Sequence, residues 1–349
     1  MNVPIRLLKK KLFMFIKKLF CLKNSRCFHH MYCSVYYSLQ KLFLFAAFII
    51  TLFQVNFSGI IYSFLFIALL FFVLRYIEEQ IIFPVDVPPE ARMCVALPNQ
   101  YNLPYEELSI ETEDGEILSA YLILQDINTR NKVPTLIFCH GNAGNMGSRL
   151  INIAQLYKFC QVNVLIFDYR GYGRSTGKPS ESGLYVDAQT MINYLSLRQD
   201  IDSGSIVIFG RSLGGAVAIE VALRNTGPIS AIIVENTFTS IPAAAKHLFK
   251  IPYVNKIPDF LLRNQFQSIN KVDRLKVPVL FISGEKDAFI PPAMMLDLFS
   301  KCPSGKKSLN RVSSGDHNNT WTRPGYFESI NSFLAGLKPR AEEIFVKTV

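Results

Sequence analysis

Apolar positions along the chain change their period twice, and each change marks a new kind of structure. Between 42 and 74 the run LFLFAAFIITLFQVNFSGIIYSFLFIALLFFVL has no charged side chain. As one helix it would measure about 50 Å at ~1.5 Å per residue, well beyond the ~30 Å hydrocarbon core of a bilayer. Asn56, Ser58 and Gly59 form a soft point inside it, and the halves 42–55 and 60–74 are each short of the ~20 residues of a full span. Two arrangements fit this transmembrane anchor segment: one spanning helix with the excess in the interface, which we favour, or a re-entrant hairpin. A cleaved signal peptide does not fit, because the run starts too late and is too long.

Residues 75–104 come next as a proline-rich linker and lead-in with no helical period. From 105 to 340 short apolar or alternating runs recur, at 106–112, 117–124, 135–139, 162–168, 206–210, 230–235, 278–283 and 306–312. Their lengths and composition predict eight strands. Asp114-Gly115 joins the first two as a hairpin, whereas later gaps hold helical patterns such as RLINIAQLYKFC, GLYVDAQTMINYLSL and GGAVAIEVALRN. This alternation predicts an α/β domain with one mostly parallel, helix-covered sheet. A short lid-like insertion occupies 236–276, where Phe249, Ile251, Tyr253, Ile257, Phe260 and Leu261 either line an acyl pocket or simply pack on the domain.

Charge sharpens the membrane reading. The arm 1–41 holds nine of the 37 Lys and Arg and no acid, leaving 28 basic against 27 acidic residues elsewhere. The net charge of +10 is therefore local, and no zinc-finger, RNP or basic-zipper pattern accompanies it, so a nucleic-acid partner is not expected. Ile5, Leu8, Leu12, Phe15, Leu19 and Leu22 recur at helical spacing among the lysines. The arm either lies on anionic lipid or serves only as a topology determinant. By the positive-inside rule the amino terminus is cytoplasmic. A single span then puts the domain on the luminal or extracellular side, and a hairpin puts it in the cytosol. The seven cysteines show no framework spacing and lean towards reduced thiols, and no metal or dinucleotide signature appears, so neither metal nor cofactor is expected.

Candidate chemistry lies in two matches to G-x-S-x-G, Gly210-Arg211-Ser212-Leu213-Gly214 and Gly173-Arg174-Ser175-Thr176-Gly177. A nucleophile elbow needs its serine on a tight turn between a strand and a helix. Ser212 has IVIF before it and LGGAVAIEVAL after it. Ser175 has glycines before it and Pro179 after it, which predicts a surface loop. A serine also needs a base, and the base an orienting acid. Of five histidines, His29 and His30 precede the membrane run, His247 sits in a helical stretch, and His140 suits loop shaping. His317, in SSGDHNNTW after the last strand, remains. Asp287, after strand seven, is preferred as the acid over the solvent-facing Glu285 and over Asp316, which is too close to His317 in sequence. Oxyanion donors are expected at the Leu213 N–H and in the loop after strand three, at Asn142 or its neighbour Ala143. The order Ser212, Asp287, His317 is the one expected of α/β-hydrolases.

FCHGNAGNMGSRL, FDYRGYGRSTG, FGRSLGGAVAI, VENTFTSIP, ISGEKDAFIPP and GDHNNTW, in this order behind an amino-terminal anchor, closely resemble the α/β-hydrolase domain-containing proteins of subgroup thirteen. The resemblance covers roughly residues 80–335 and implies a single-pass type II membrane protein with a serine hydrolase domain, its site at Ser212, Asp287 and His317. The wider family includes lipid esterases and protein depalmitoylases. A membrane tether makes acyl lipids or acylated proteins sensible substrates, so the expected reaction is carboxylic ester or thioester hydrolysis through an acyl-enzyme. Alternatives are a serine peptidase and a catalytically silent, membrane-tethered scaffold or binding protein.

Overall fold

The computed structural model describes residues 41, 44–49, 59–225, 227, 229–249 and 259–337. Residues 1–40 of the basic arm, with its apolar stripe, the soft-point residues Asn56 and Ser58, and the insertion residues Ile251, Tyr253 and Ile257 lie outside the described residues.

Eight strands form one sheet: β1 (Glu106–Glu111), β2 (Ile117–Ile123), β3 (Thr135–Cys139), β4 (Asn163–Phe167), β5 (Ile206–Arg211), β6 (Ile229–Glu235), β7 (Val279–Gly284) and β8 (Lys307–Val312). Their spatial order is β1-β2-β4-β3-β5-β6-β7-β8. The hairpin β1–β2 and the β2–β4 pair are antiparallel, and every later pairing is parallel. The helices around the sheet include α1 (Gly59–Ile82), α2 (Leu150–Cys160), α3 (Glu181–Ser196), α4 (Leu213–Arg224), α5 (Ile241–Leu248), α6 (Pro292–Lys301) and α7 (Tyr326–Ala335).

A strand buried on both faces sends successive side chains to opposite layers. Leu136, Phe138, Val164, Ile166, Val207, Phe209, Leu280 and Ile282 thus pack on the side of α2 and α7. Ile137, Cys139, Leu165, Phe167, Ile208, Val234 and Phe281 pack on the side of α3, α4 and α6. The sheet therefore has two cores, and its middle strands read as unbroken apolar runs because neither face meets water. After β3 the chain goes to one side for β4 and to the other for β5. Connections running opposite ways from β3 open a crevice at the carboxyl ends of β3 and β5, where α/β sheets bind ligands.

Helix α1 corrects one boundary. The loss of apolar character places the start of the linker at 75, yet the helix runs on through Arg75, Glu78 and Glu79 to Ile82. Nothing in that stretch breaks a helix until Phe83, the residue before Pro84, whose conformation proline restricts. Ile82 and Phe83 are buried, whereas Phe64 and Phe72 are 72% and 70% exposed. Ile61–Ile82 is, among the described residues, one helix long and apolar enough to cross a membrane. Its first turns are apolar and exposed, and its last turn packs on the domain.

Candidate active site

β5 ends at Arg211 and α4 begins at Leu213, so Ser212 alone makes the turn. Its backbone sits at φ 54°, ψ −117°, a conformation that costs an ordinary residue about 1–3 kcal/mol and persists only when its surroundings enforce it. Those surroundings are visible. Ser212 N–H donates to Glu235 O at 2.9 Å and Ser212 O accepts from Gly215 N at 2.9 Å. The same carbonyl accepts the Thr237 hydroxyl at 2.7 Å. A Cβ on Gly214 would lie 1.9 Å from Cys139 O, and one on Gly210 would lie 2.2 Å from Gly214 O. The motif glycines are there because strand β3 and the opening turn of α4 leave no room for a side chain.

The loop after β8 brings His317 to this turn. His317 Nε2 lies 3.1 Å from Ser212 Oγ, and Nδ1 lies 2.7 Å from Asp287 Oδ2. Asp287, in the turn after β7, accepts the Phe289 and Ile290 N–H groups on its other oxygen, each at 2.8 Å. Those two bonds fix the carboxylate, and the carboxylate fixes the ring. Phe289 stacks on the imidazole at a centroid distance of 5.4 Å. The Asp287 side chain is 1% exposed and that of His317 15%. Such an arrangement can take a proton from the serine hydroxyl and hold the resulting imidazolium beside a buried carboxylate.

The competing residues are placed elsewhere. Glu285 pairs with Arg311 at the surface. Asp316 accepts Asn318 N–H at 2.8 Å and Asn319 N–H at 2.9 Å, shaping the histidine loop from within. His140 is fully buried, with Nδ1 2.6 Å from Gly141 O, and burial pushes its pKa down to about 3. Ser175 is buried in its loop and bonded to main chain.

Leu213 opens α4, so its N–H belongs to the first turn, whose amides an α-helix leaves without intrahelical partners. Across the crevice, a Cβ on Gly141 would come 3.6 Å from Ser212 Cβ, which brings the loop after β3 alongside the serine. Asn142 O accepts the Tyr172 hydroxyl at 2.8 Å, and Ala143 O accepts from Arg149. The peptides of the Asn142–Ala143 segment are thus held by side chains of other loops. Within the insertion, Leu261 is exposed.

Three side chains near the site gave no signal in the motif reading. Arg211 Nη2 donates to the His317 carbonyl and to Asn318 Oδ1 at 2.8 Å, while Arg211 Nε lies 3.4 Å from the buried Glu235. Asn236 Nδ2 donates to Thr320 Oγ1 at 3.0 Å and Asp316 O at 3.2 Å, and Asn236 Oδ1 accepts Gly284 N–H at 2.8 Å. Together they tie the ends of β5, β6 and β7 to the histidine loop. An arginine between the glycine and serine of an otherwise apolar strand end was the available clue, since a buried charge needs a partner. Among the described residues, no group of three or more His, Cys, Asp or Glu is arranged to hold a metal ion.

A family profile described as the α/β hydrolase fold matches residues 134–253. Protein bem46 of Schizosaccharomyces pombe is 40% identical over 265 residues, covering 76% of this chain and 87% of that protein. A Saccharomyces cerevisiae protein described as an uncharacterized membrane protein is 34% identical, covering 75% of this chain and 90% of its own length. Among solved structures, an esterase of Pyrococcus furiosus superposes with a TM-score of 0.57 at 20% identity, covering 70% of this chain and 95% of the esterase. At that identity the likeness is one of fold. The apolar helix α1 and the yeast relative point to membrane association.

Proposed function

Because the chain belongs to the α/β-hydrolase domain-containing family, we propose that it is a membrane-anchored serine hydrolase cleaving carboxylic ester or thioester bonds of acyl lipids or acylated proteins. The observation that carries this reading is the run of contacts from Ser212 Oγ through His317 to Asp287, 3.1 Å and 2.7 Å, on a backbone held at positive φ. Ser212 Oγ attacks the acyl carbonyl as His317 Nε2 takes its proton. Asp287 keeps Nδ1 protonated and stabilises the imidazolium. The developing oxyanion is met by the Leu213 N–H and by that of Asn142 or Ala143. His317 returns the proton to the leaving alcohol or thiol, and water, activated by the same imidazole, releases the acid from the acyl-enzyme. The Pyrococcus neighbour, an esterase, is consistent with this class.

In this reading α1 is the span and the hydrolase domain begins near 105. The basic arm stays cytoplasmic and the domain lies on the luminal or extracellular side. Digestion of the intact domain by protease added to the cytosolic face of sealed vesicles would overturn that orientation.

Covalent labelling by a fluorophosphonate probe in native membranes tests the chemistry without the substrate. Labelling of the wild type and of Ser175→Ala, with none in Ser212→Ala, is expected. A folded wild type that takes no label would favour the scaffold alternative, and label lost in Ser175→Ala would reassign the nucleophile.

A further inference from the structure

The last two turns of α1 meet the domain through the buried Ile82 and through the carboxylate of Glu78. Glu78 is 7% exposed, although it sits on a helix whose earlier turns are bare. Its Oε1 accepts the Asn264 N–H at 2.7 Å and the Asn264 side-chain amide at 3.2 Å. Its Oε2 accepts the Arg263 N–H at 3.2 Å and Arg75 Nη1 at 3.2 Å. A buried carboxylate is tolerated when its lone pairs are filled in this way. The segment it grips is the returning limb of the insertion between β6 and β7. That limb is held from its other side by Glu181, at the start of α3, whose Oε2 accepts Gln265 N–H at 2.6 Å and Phe266 N–H at 2.9 Å. Phe83, directly after the helix, packs edge-on against Phe266 at 6.2 Å.

The lead-in then reaches the opposite wall of the crevice. Val87 O accepts Gly144 N–H at 2.7 Å, and Ala91 O and Cys94 O accept the Asn145 side-chain amide at 2.7 and 3.0 Å. Asn145 caps the turn directly after the Asn142–Ala143 segment. Both walls belong to the carboxyl edge of the sheet, where Ser212 stands, so the anchor meets the domain at its reactive edge. A groove of ≈ 560 Å³ at the junction is lined by Phe71, Phe72, Arg75, Tyr76, Glu79 and Arg263. Aromatic and cationic side chains together are characteristic of the lipid–water boundary. Such a lining beside the insertion suits a bilayer surface there.

We propose that Glu78 is a positioning residue that docks the membrane helix on the insertion and turns the Ser212 crevice towards the bilayer, so that acyl groups held in that bilayer are the substrates it reaches. The substrate part of this proposal rests on the hydrolase reading above, whereas the docking part does not.

Trp321, the only tryptophan of the chain, reports on the geometry directly. It lies just after His317, with its indole N–H bonded to Asn318 O at 3.0 Å. In full-length protein reconstituted into phosphatidylcholine vesicles, energy transfer from Trp321 to a dansyl-headgroup lipid is expected in the wild type. It should fall by about half or more in Glu78→Ala and recover in part in Glu78→Gln, which keeps one acceptor oxygen. The same proteins are then assayed on a water-soluble short-chain ester and on a long-chain acyl thioester embedded in the vesicles. Glu78→Ala should keep its rate on the soluble ester within about twofold and lose about tenfold on the embedded one. Transfer unchanged by the substitution overturns the docking role. Equal loss on both substrates reduces Glu78 to a residue of general stability and overturns the proposal as well. A wild type with full transfer and no turnover of either ester sinks the hydrolase reading and the substrate claim with it, while the docking role stands on its own readout.

Discussion

Two loops of this chain carry the same five-residue pattern, and the fold gives their serines opposite roles. Around Ser175 the positive φ angles fall on glycines, at Gly171, Gly173 and Gly177, so the serine itself is unstrained. Its hydroxyl donates to Asp168 O at 2.7 Å and accepts Ser119 N–H at 2.9 Å. With both directions of bonding taken by main chain, that oxygen has no route to a base. Ser212 carries the positive φ itself, and its Oγ lies at hydrogen-bond distance from an imidazole. The glycine spacing encodes a tight turn in both places, and the element entered after the turn decides the role of the serine. After Ser212 a helix begins at once, whereas Thr176 N–H returns to the sheet edge at Ile117 O, 2.9 Å away. The second loop also braces the first. Tyr172 holds the Asn142 carbonyl, and Arg170 clamps Asp114 with two bonds of 2.6 and 2.9 Å while its N–H and Nε bind Asp187 at 2.8 Å each.

Swapping the fates of the two serines is the strongest way to break this contrast. Ser212→Ala should lower ester turnover by about 10⁴-fold or more, with the melting temperature within about 2 °C of wild type. Arg211→Met comes next. It leaves Glu235 buried without its cation and frees the His317 carbonyl, a loss of about 3–5 kcal/mol; adding Glu235→Gln should restore more than half of it in a thermal-melt double-mutant cycle. Ser175→Ala is the smaller and opposite case. It strands the buried Ser119 N–H and should cost about 1–3 kcal/mol, at roughly 2–4 °C per kcal/mol for a domain of this size, while turnover stays within about tenfold. If Ser175→Ala abolished turnover with an unchanged melting temperature, the division of labour between the loops would be wrong.

The sheet was legible because its signal is local. Strands buried on both faces are continuous apolar runs, so the run TLIFC and the observed Thr135–Cys139 coincide, and the GGAVAIEVALRN pattern becomes α4 with its start moved by one residue. The three residues that meet at the crevice were also legible, because each comes after a strand and the carboxyl ends of parallel strands share one edge. The hidden features depend on partners far along the chain. Glu78 belongs to no motif, and its partner Asn264 is 186 residues away. Arg211 and His317 are 106 apart. The end of α1 was misplaced for a related reason: apolar character is lost at Arg75, whereas the helix itself ends only at Ile82, just before the proline-restricted Phe83, where backbone sterics intervene.

A further test, read as a slope with pH, asks what holds the bracing loop. Asp168 is buried beneath it, with Oδ1 accepting Met146 N–H at 2.6 Å and His140 Nε2 3.8 Å away, beyond hydrogen-bond reach. Among the described residues, Asp168 Oδ2 has no hydrogen-bond partner. Burial pushes this carboxyl up to about 7. A carboxyl raised in the folded state contributes stability that is complete below the unfolded value of about 4 and is lost as pH rises towards 7. Asp114, on the same loop's Arg170, is drawn down to about 2 by that arginine's hydrogen bonds. Its contribution has the reverse sign, present above about 4 and lost as pH falls towards 2. The two carboxyls therefore oppose each other on either side of about pH 4. Melting curves at pH 4.5 and 7.5 should show a smaller fall for Asp168→Asn than for the wild type, whereas Asp114→Asn should leave that interval unchanged and flatten the curve below pH 4. An Asp168→Asn slope equal to that of the wild type would mean that the carboxyl is ionised across the whole interval, and that a buried anion is part of the brace.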